Sequence, residues 1–200
     1  MRSKNSLALI MAAGHSRRFG SDKRVATLND GRTLLAATFQ AACAAFKQVR
    51  VVVNSQVSPT ELGIPESLAI VINTSASAGL GGSISNAIQA LDKHMASTEF
   101  GSIAIWLGDM PWVRPETCWD LAQRVTANTI VRPTYRGDLG HPVFFGSNIW
   151  PALGDAKDER GGRHVLTRFA HQVINIPVTD PGVVQDIDYP DAIPKSTSLP

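Results

Sequence analysis

A chain of 200 residues, 44% hydrophobic and 18% charged, holds enough apolar material for one sizeable core and reads as one domain rather than two. Its formal charge of +2 is near balance and no block of five like charges occurs, which excludes an extended nucleic-acid footprint and a polybasic membrane patch, so any positive site is local. Cys43 and Cys118 lie far apart without CxxC or Cys/His spacing, which argues against a disulfide framework or structural zinc and makes the reduced cytoplasm the natural compartment.

Residues 7–13 (LALIMAA) form a continuous apolar run, the pattern of a strand buried on both faces. Arg2 and Lys4 before it superficially imitate a secretory leader, but the run is short and Arg17 and Arg18 follow at once. No apolar run approaches the roughly 18 residues needed to span a membrane. Residues 33–46 are Ala/Leu-rich and long enough for a helix, and the β-branched runs at 49–54 and 68–74 read as strands. At 83–95 Ser83 is placed to cap a helix whose Ile84, Ala87, Ile88 and Leu91 recur at helical spacing. A buried strand follows at 102–107, then an amphipathic helix over 114–126 with Pro115 near its start. Strand patterns at 129–135 and 141–145, a helix at 163–171 and a strand at 172–178 complete the order, with a polar tail from Lys195 that should fray. This alternation predicts a three-layer, Rossmann-like, doubly wound α/β fold with a mostly parallel sheet, its binding loops at the carboxyl ends of the strands.

Chemistry-bearing residues gather in the loops. After the first strand comes GHSRRFGSDK, which fits neither GxGxxG nor GxxxxGK[ST]. It shares the physics of both: Gly14 and Gly20 free backbone N–H groups to turn toward an anion, and Arg17, Arg18 and Lys23 can neutralise a triphosphate. A second glycine-rich stretch, GLGGSI at 79–84, precedes the capped helix, whose amino end attracts an anion or a polar base edge. Asp109 in WLGDMPWV stands just beyond a buried strand, positioned to hold Mg²⁺, which prefers hard oxygen ligands. In VVQDIDYPDAI, Asp186 and Asp188 point to the same side if the chain is extended, which with Asp109 makes a metal cradle. In YRGDLGHPVFFG, Gly140 and Pro142 suit a tight approach, and His141 offers a hydrogen-bond donor. The tryptophans and both cysteines read as packing residues.

AAGHSRRFGSDK resembles the LxAGxSxRMGxxK signature of the MobA-like nucleotidyltransferases, the family of the molybdenum cofactor guanylyl- and cytidylyltransferases, with Phe19 in place of methionine and Thr27 where proline is common. WLGDMP resembles the family's LGDxP, DIDYPDAI its DxDTPxDL, LGHPV its GxxGHPV, and DERGGR its GDxGAR, with Glu159 where aspartate is usual. The likeness extends over residues 7–193 and implies one MobA-like domain filling residues 1–200. It also implies nucleotide contacts at Ala12, Ala13, Gly14, Ser16, Arg17, Gly20, Gly79, Gly81, Gly82 and Ser83, with Arg18 and Lys23 on the phosphates. Asp109 with Asp186 or Asp188 would hold Mg²⁺, and Gly140, His141, Pro142 and Arg163 would meet the acceptor. The expected reaction passes a nucleoside monophosphate from an NTP to a phosphorylated acceptor, molybdopterin-type cofactor, with pyrophosphate leaving. The AAG opening and GLGGS segment resemble the cytidylyl branch, favouring CTP over GTP. The rivals are guanylyl transfer, transfer to a sugar or isoprenoid-precursor phosphate, and a non-catalytic module that delivers cofactor to a molybdoenzyme or its accessory protein.

Overall fold

The computed structural model describes residues 3–14, 19–72, 79–94, 100–155 and 162–189. Its centre is β1 (Ser3–Met11), which pairs in parallel with β2 (Phe46–Asn54) on one side and β4 (Ser102–Leu107) on the other. Beyond β2 lies β3 (Ala69–Ile72), also parallel. Beyond β4 the sheet continues with antiparallel β7 (Val143–Gly146) and β5 (Ile130–Tyr135), then the two-residue β6 (Asp138–Leu139), while β8 (Val173–Pro177) pairs in parallel with β5. The sheet has eight strands in the order β3-β2-β1-β4-β7-β5-β6, with β8 attached to β5. The chain winds outward from β1 to β3 and then returns to place β4 on the opposite flank of β1. Strand order therefore reverses between β1 and β4, and the crevice at their carboxyl ends is the usual ligand position of open α/β sheets.

The apolar run of β1 divides between two cores, which is why it reads as continuous. Leu7, Leu9 and Met11 face one side, packed against Ile84, Ala87, Ile88 and Leu91 of α2 (Gly79–His94) and Val165 of α4 (Gly162–Arg168). Ala8, Ile10 and Ala12 face the other, against Leu35, Ala42 and Ala45 of α1 (Leu34–Ala45) and Cys118 and Leu121 of α3 (Pro115–Arg124). Leu7, Leu9 and Ile10 are fully buried, and each such side chain stabilises the fold by about 1.5–3 kcal/mol. The result is the expected three layers. Thr33 caps α1 by accepting from Ala36 N, Pro115 opens α3, and Cys43 and Cys118 sit in helices. Trp106 and Trp119 turn their indole N–H groups to the Met110 and Ala45 carbonyls.

Several boundaries differ from the sequence reading. β1 begins at Ser3, ahead of the apolar run. The glycine stretch 79–84 is no loop: α2 starts at Gly79, and Ser83, inside the helix, donates from Oγ to the Gly79 carbonyl at 3.0 Å instead of capping. Gly81 and Gly82 are tolerated there because the turn is buried, and the packing of Ile84 and Ile88 outweighs the weak helix propensity of glycine. The hairpin between β5 and β6 turns on Arg136 and Gly137, both with positive φ, a strand pair the sequence pattern missed.

The carboxyl-terminal segment is secured by one buried carboxylate. Asp180 accepts from Gly182 N at 2.9 Å, Arg114 N at 2.8 Å and Thr117 Oγ1 at 2.8 Å. Gly182 lies directly on the Trp112 carbonyl, leaving no room for a Cβ. Asp180→Ala should lower the unfolding free energy by about 2–4 kcal/mol, since it strands buried donors, and urea denaturation with a lowered midpoint at constant m-value checks it.

Candidate active site

The loop leaving β1 is pinned at three backbone atoms. Ala12 N donates to Val52 O at 2.9 Å, the Ala12 carbonyl accepts from Arg24 Nη1 at 3.1 Å, and the Ala13 carbonyl accepts from buried Asn54 Nδ2 at 3.3 Å. Arg24 is itself clamped by Asp22, through Nε at 2.8 Å and Nη2 at 2.6 Å. Arg24 holds the Asp22 carboxyl below its ordinary pKa, mainly through the side-chain hydrogen bond. Asp22 also caps the short 3-10 turn Lys23–Val25. Lys23 is thus fixed by its neighbours. The sequence reading missed Arg24 and Asn54; the signals were an Asp-x-Arg pair beside the lysine and a polar residue closing a β-branched strand.

Across the crevice, Gly108 N donates to Met11 O at 3.0 Å, and a Cβ on Gly108 would press against that oxygen and Ala12. This close approach brings Asp109, the next residue, beside the β1 loop. The carboxyl-terminal chain arrives from the other side: Ile187 N donates to Asp109 O at 3.1 Å, and the Ile187 side chain is fully buried with Phe19, Leu28, Leu34 and Ala37. Asp186 and Asp188 flank it outside that cluster, although they lie in irregular chain rather than a strand. Oxygens of Asp109, Asp186 and Asp188 lie within 4.8 Å of one another.

Lys23 enters this acidic cluster. Its Nζ forms a short ion pair with Asp109 Oδ2 and reaches Asp188 Oδ1 and the Ile187 carbonyl at 3.4 Å each. Burial by itself draws the ammonium pKa down, but hydrogen bonding and attraction to Asp109, then Asp188, outweigh it and raise the pKa above the ordinary lysine value. Asp109 Oδ1 is buried without a hydrogen-bond partner. A buried carboxylate oxygen left unpaired beside two further carboxylates is the donor set that a hard divalent cation completes.

Beside the crevice opens a cleft of about 640 Å³. Gly140, His141 and Arg163 line it with Arg132, against apolar walls that include Leu80, Ile84 and Phe145. A Cβ on Gly140 would strike Val183, and His141 N donates to the Val183 carbonyl at 2.8 Å, so this turn is bound to the segment that delivers Asp186 and Asp188. His141 directs Nδ1 to the Ile105 carbonyl at 3.4 Å; burial pulls its pKa below the ordinary 6.5, against the raising effect of that bond and of Asp109.

The structure thus brings Lys23, Asp109, Asp186 and Asp188 together, and separately Gly140, His141 and Arg163. Ala12 and Ala13 are buried at the start of the loop, Gly14 and Gly20 are exposed, and Gly20 has φ +78°. Gly79 is the exposed first residue of α2, while Gly81, Gly82 and Ser83 are buried inside it. Pro142 does not line the cleft among the described residues. Ser16, Arg17 and Arg18 lie outside the described residues, as does Glu159. The sequence reading passed over Arg132, an arginine interrupting the apolar pattern of a strand.

The MobA-like NTP transferase domain matches residues 8–173, from inside β1 to the start of β8. The chain belongs to this family. This MobA-like NTP transferase has a fold shared with a Mycobacterium sp. strain JC1 homologue of Rv0371c, at 25% identity and TM-score 0.78, covering 96% of this chain and 94% of that one. It is similar to the manganese complex of Rv0371c from Mycobacterium tuberculosis, at 20% identity and TM-score 0.70 over 88% and 89%. It is also similar to molybdopterin-guanine dinucleotide biosynthesis protein A from Archaeoglobus fulgidus, at 19% identity and TM-score 0.67 over 94% of each chain. Among curated proteins no sequence matches it. Among the described residues no helix is long and apolar enough to cross a membrane.

Because the His141 pKa in the fold lies below 6.5, the unfolded chain takes up that proton first as pH falls. The contribution to stability is complete above 6.5 and is lost as pH drops below it toward the folded-state value. His141→Gln should flatten that part of the stability curve, measured by thermal melts from pH 8 down to about pH 5.

Proposed function

We propose that this MobA-like transferase passes a nucleoside monophosphate, CMP by preference, from an NTP to a phosphate of a molybdopterin-type acceptor, with a divalent cation, Mg²⁺, in the acidic cradle. The observation that carries the reading is the convergence of Lys23, Asp109 and Asp188 at the point where strand order reverses. The unpaired Asp109 Oδ1 supports the cation, as does the manganese in the M. tuberculosis relative.

In this reading the glycine loop after β1 and Arg17 and Arg18 approach the triphosphate, with Arg18 and Lys23 on its phosphates. Lys23 is close to the carboxylates and carries a firmly held proton, so it enters the reaction as a charge and not as a base. Asp109 and one or both of Asp186 and Asp188 hold the cation, which supplies neutralisation of phosphate charge. The cleft containing Gly140, His141 and Arg163 seats the acceptor, and Pro142 shapes the turn that presents it. With Nδ1 donating to Ile105, a neutral His141 offers Nε2 as an acceptor, and it donates to a phosphate only when protonated. An acceptor phosphate oxygen attacks the α-phosphorus, the bond to the bridging oxygen breaks, and pyrophosphate departs with those electrons. Positioning and charge neutralisation dominate such transfers, so the protein needs no covalent intermediate. The amino end of α2 would meet the nucleotide through its first N–H groups, as helix and not loop.

Pyrophosphate release across a panel of NTPs with Mg²⁺ and candidate phosphorylated acceptors tests the reaction. Turnover should be highest with CTP, and a higher rate with GTP would replace cytidylyl by guanylyl transfer. Asp109→Asn and Lys23→Met should each lower turnover by about 10²-fold or more, as loss of one preorganised electrostatic group does. Unchanged Mg²⁺-dependent release in Asp109→Asn would refute the assignment. Cofactor binding without turnover of any NTP would instead support a delivery module.

A further inference from the structure

Arg132 is a half-buried arginine on a core-facing side of its strand. Side chains alternate along β5, so Arg132 shares a face with Ile130, which packs in the core beneath α2 and α4, while Val131 packs on the opposite core. The apolar cover ends near Arg132, and its side chain lines the 640 Å³ cleft among Leu139, Val143 and Phe145. Its guanidinium is oriented by one neutral acceptor: Nε and Nη2 both donate to Asn175 Oδ1 at 3.1 Å, from the position paired with Arg132 on β8. Among the described residues no carboxylate forms an ion pair with it, and burial without that compensation draws its pKa down. A guanidinium has five N–H donors, so the fork held by Asn175 keeps donors for another group.

We infer that Arg132, held by Asn175, is a specificity-determining residue that selects acceptors carrying an anionic group on an apolar or aromatic body. This inference rests on the reading of the cleft as the acceptor site. Lys23 and the carboxylates of the acidic cradle do not line the cleft among the described residues, so the anion recognised by Arg132 is met on the cleft side and not among those carboxylates. An arginine fork suits a phosphate or carboxylate because it offers parallel donors, whereas lysine supplies only a point charge. The apolar walls contribute affinity for the body of the ligand without selecting its charge.

Direct binding to the full chain, measured calorimetrically with phenyl phosphate and with neutral phenol and without NTP, separates these contributions. The wild-type protein should bind phenyl phosphate about tenfold or more tightly than phenol, a preference equivalent to one charge-assisted hydrogen bond. Arg132→Gln should abolish that preference while leaving phenol binding intact, and Arg132→Lys should restore only part of it. Asn175→Ala, which leaves the charge but releases the fork, should weaken phenyl phosphate binding by an intermediate factor and keeps the test decisive if Arg132→Gln fails to fold. A purely structural Arg132 would shift the melting temperature and leave the phosphate-to-phenol ratio unchanged, which would overturn the inference. So would loss of the preference in Lys23→Met but not in Arg132→Gln, because the anion would then sit in the crevice. Failure of nucleotidyl transfer with an Arg132-dependent preference intact would count against the proposed reaction and leave this anion site standing.

Discussion

An ammonium ion held against carboxylates from distant parts of the chain is the feature around which this molecule is arranged. Lys23 meets Asp109, 86 residues away, and Asp188, 165 residues away. Asp109 and Asp188, both partly buried, would repel one another and the exposed Asp186, and the lysine supplies the compensating charge. Each participant is held from behind: Lys23 through Asp22 and Arg24, Asp109 through the contact of Gly108 with Met11, and Asp188 through the burial of Ile187. Each support is a hydrogen bond or a buried contact, and it limits the positions the charged group can take.

The same economy governs the approach of the carboxyl-terminal segment. Its path crosses the start of α3 at Asp180, the Trp112 carbonyl at Gly182, the His141 turn at Val183 and the Asp109 carbonyl at Ile187. Four parts of the fold are therefore registered against one short stretch of irregular chain. A shift of that stretch would move the acidic cradle and the Gly140–His141 turn of the cleft together, so the two share a mechanical support.

Much of this was legible beforehand because local chemistry and global fold agree. The apolar run at 7–13 overlaps β1 up to Met11 and the run at 102–107 coincides with β4, Pro115 and Thr33 mark helix starts, and Asp109 stands just past the strand that delivers it. The failures have equally physical causes. Glycines at 79–82 suggest a loop, yet tertiary burial outweighs their poor propensity and α2 begins there. Read from sequence, Asp186 and Asp188 share a side if the chain is extended; in the fold, burial of the intervening Ile187 achieves that orientation in irregular chain.

Taken alone, the sequence determined which residue types could serve: a glycine turn with cations, isolated carboxylates at strand ends, and alternating elements that can only stack as layers, because each must bury its apolar face. Partnership was decided by tertiary structure. Nothing in the order of residues says that Arg24 will clamp the Ala12 carbonyl, that Asn175 will orient Arg132, or that Lys23 will sit inside the acidic cluster. Those contacts depend on strand order and register, which follow from the simultaneous packing of both faces of the sheet and cannot be read from any one segment.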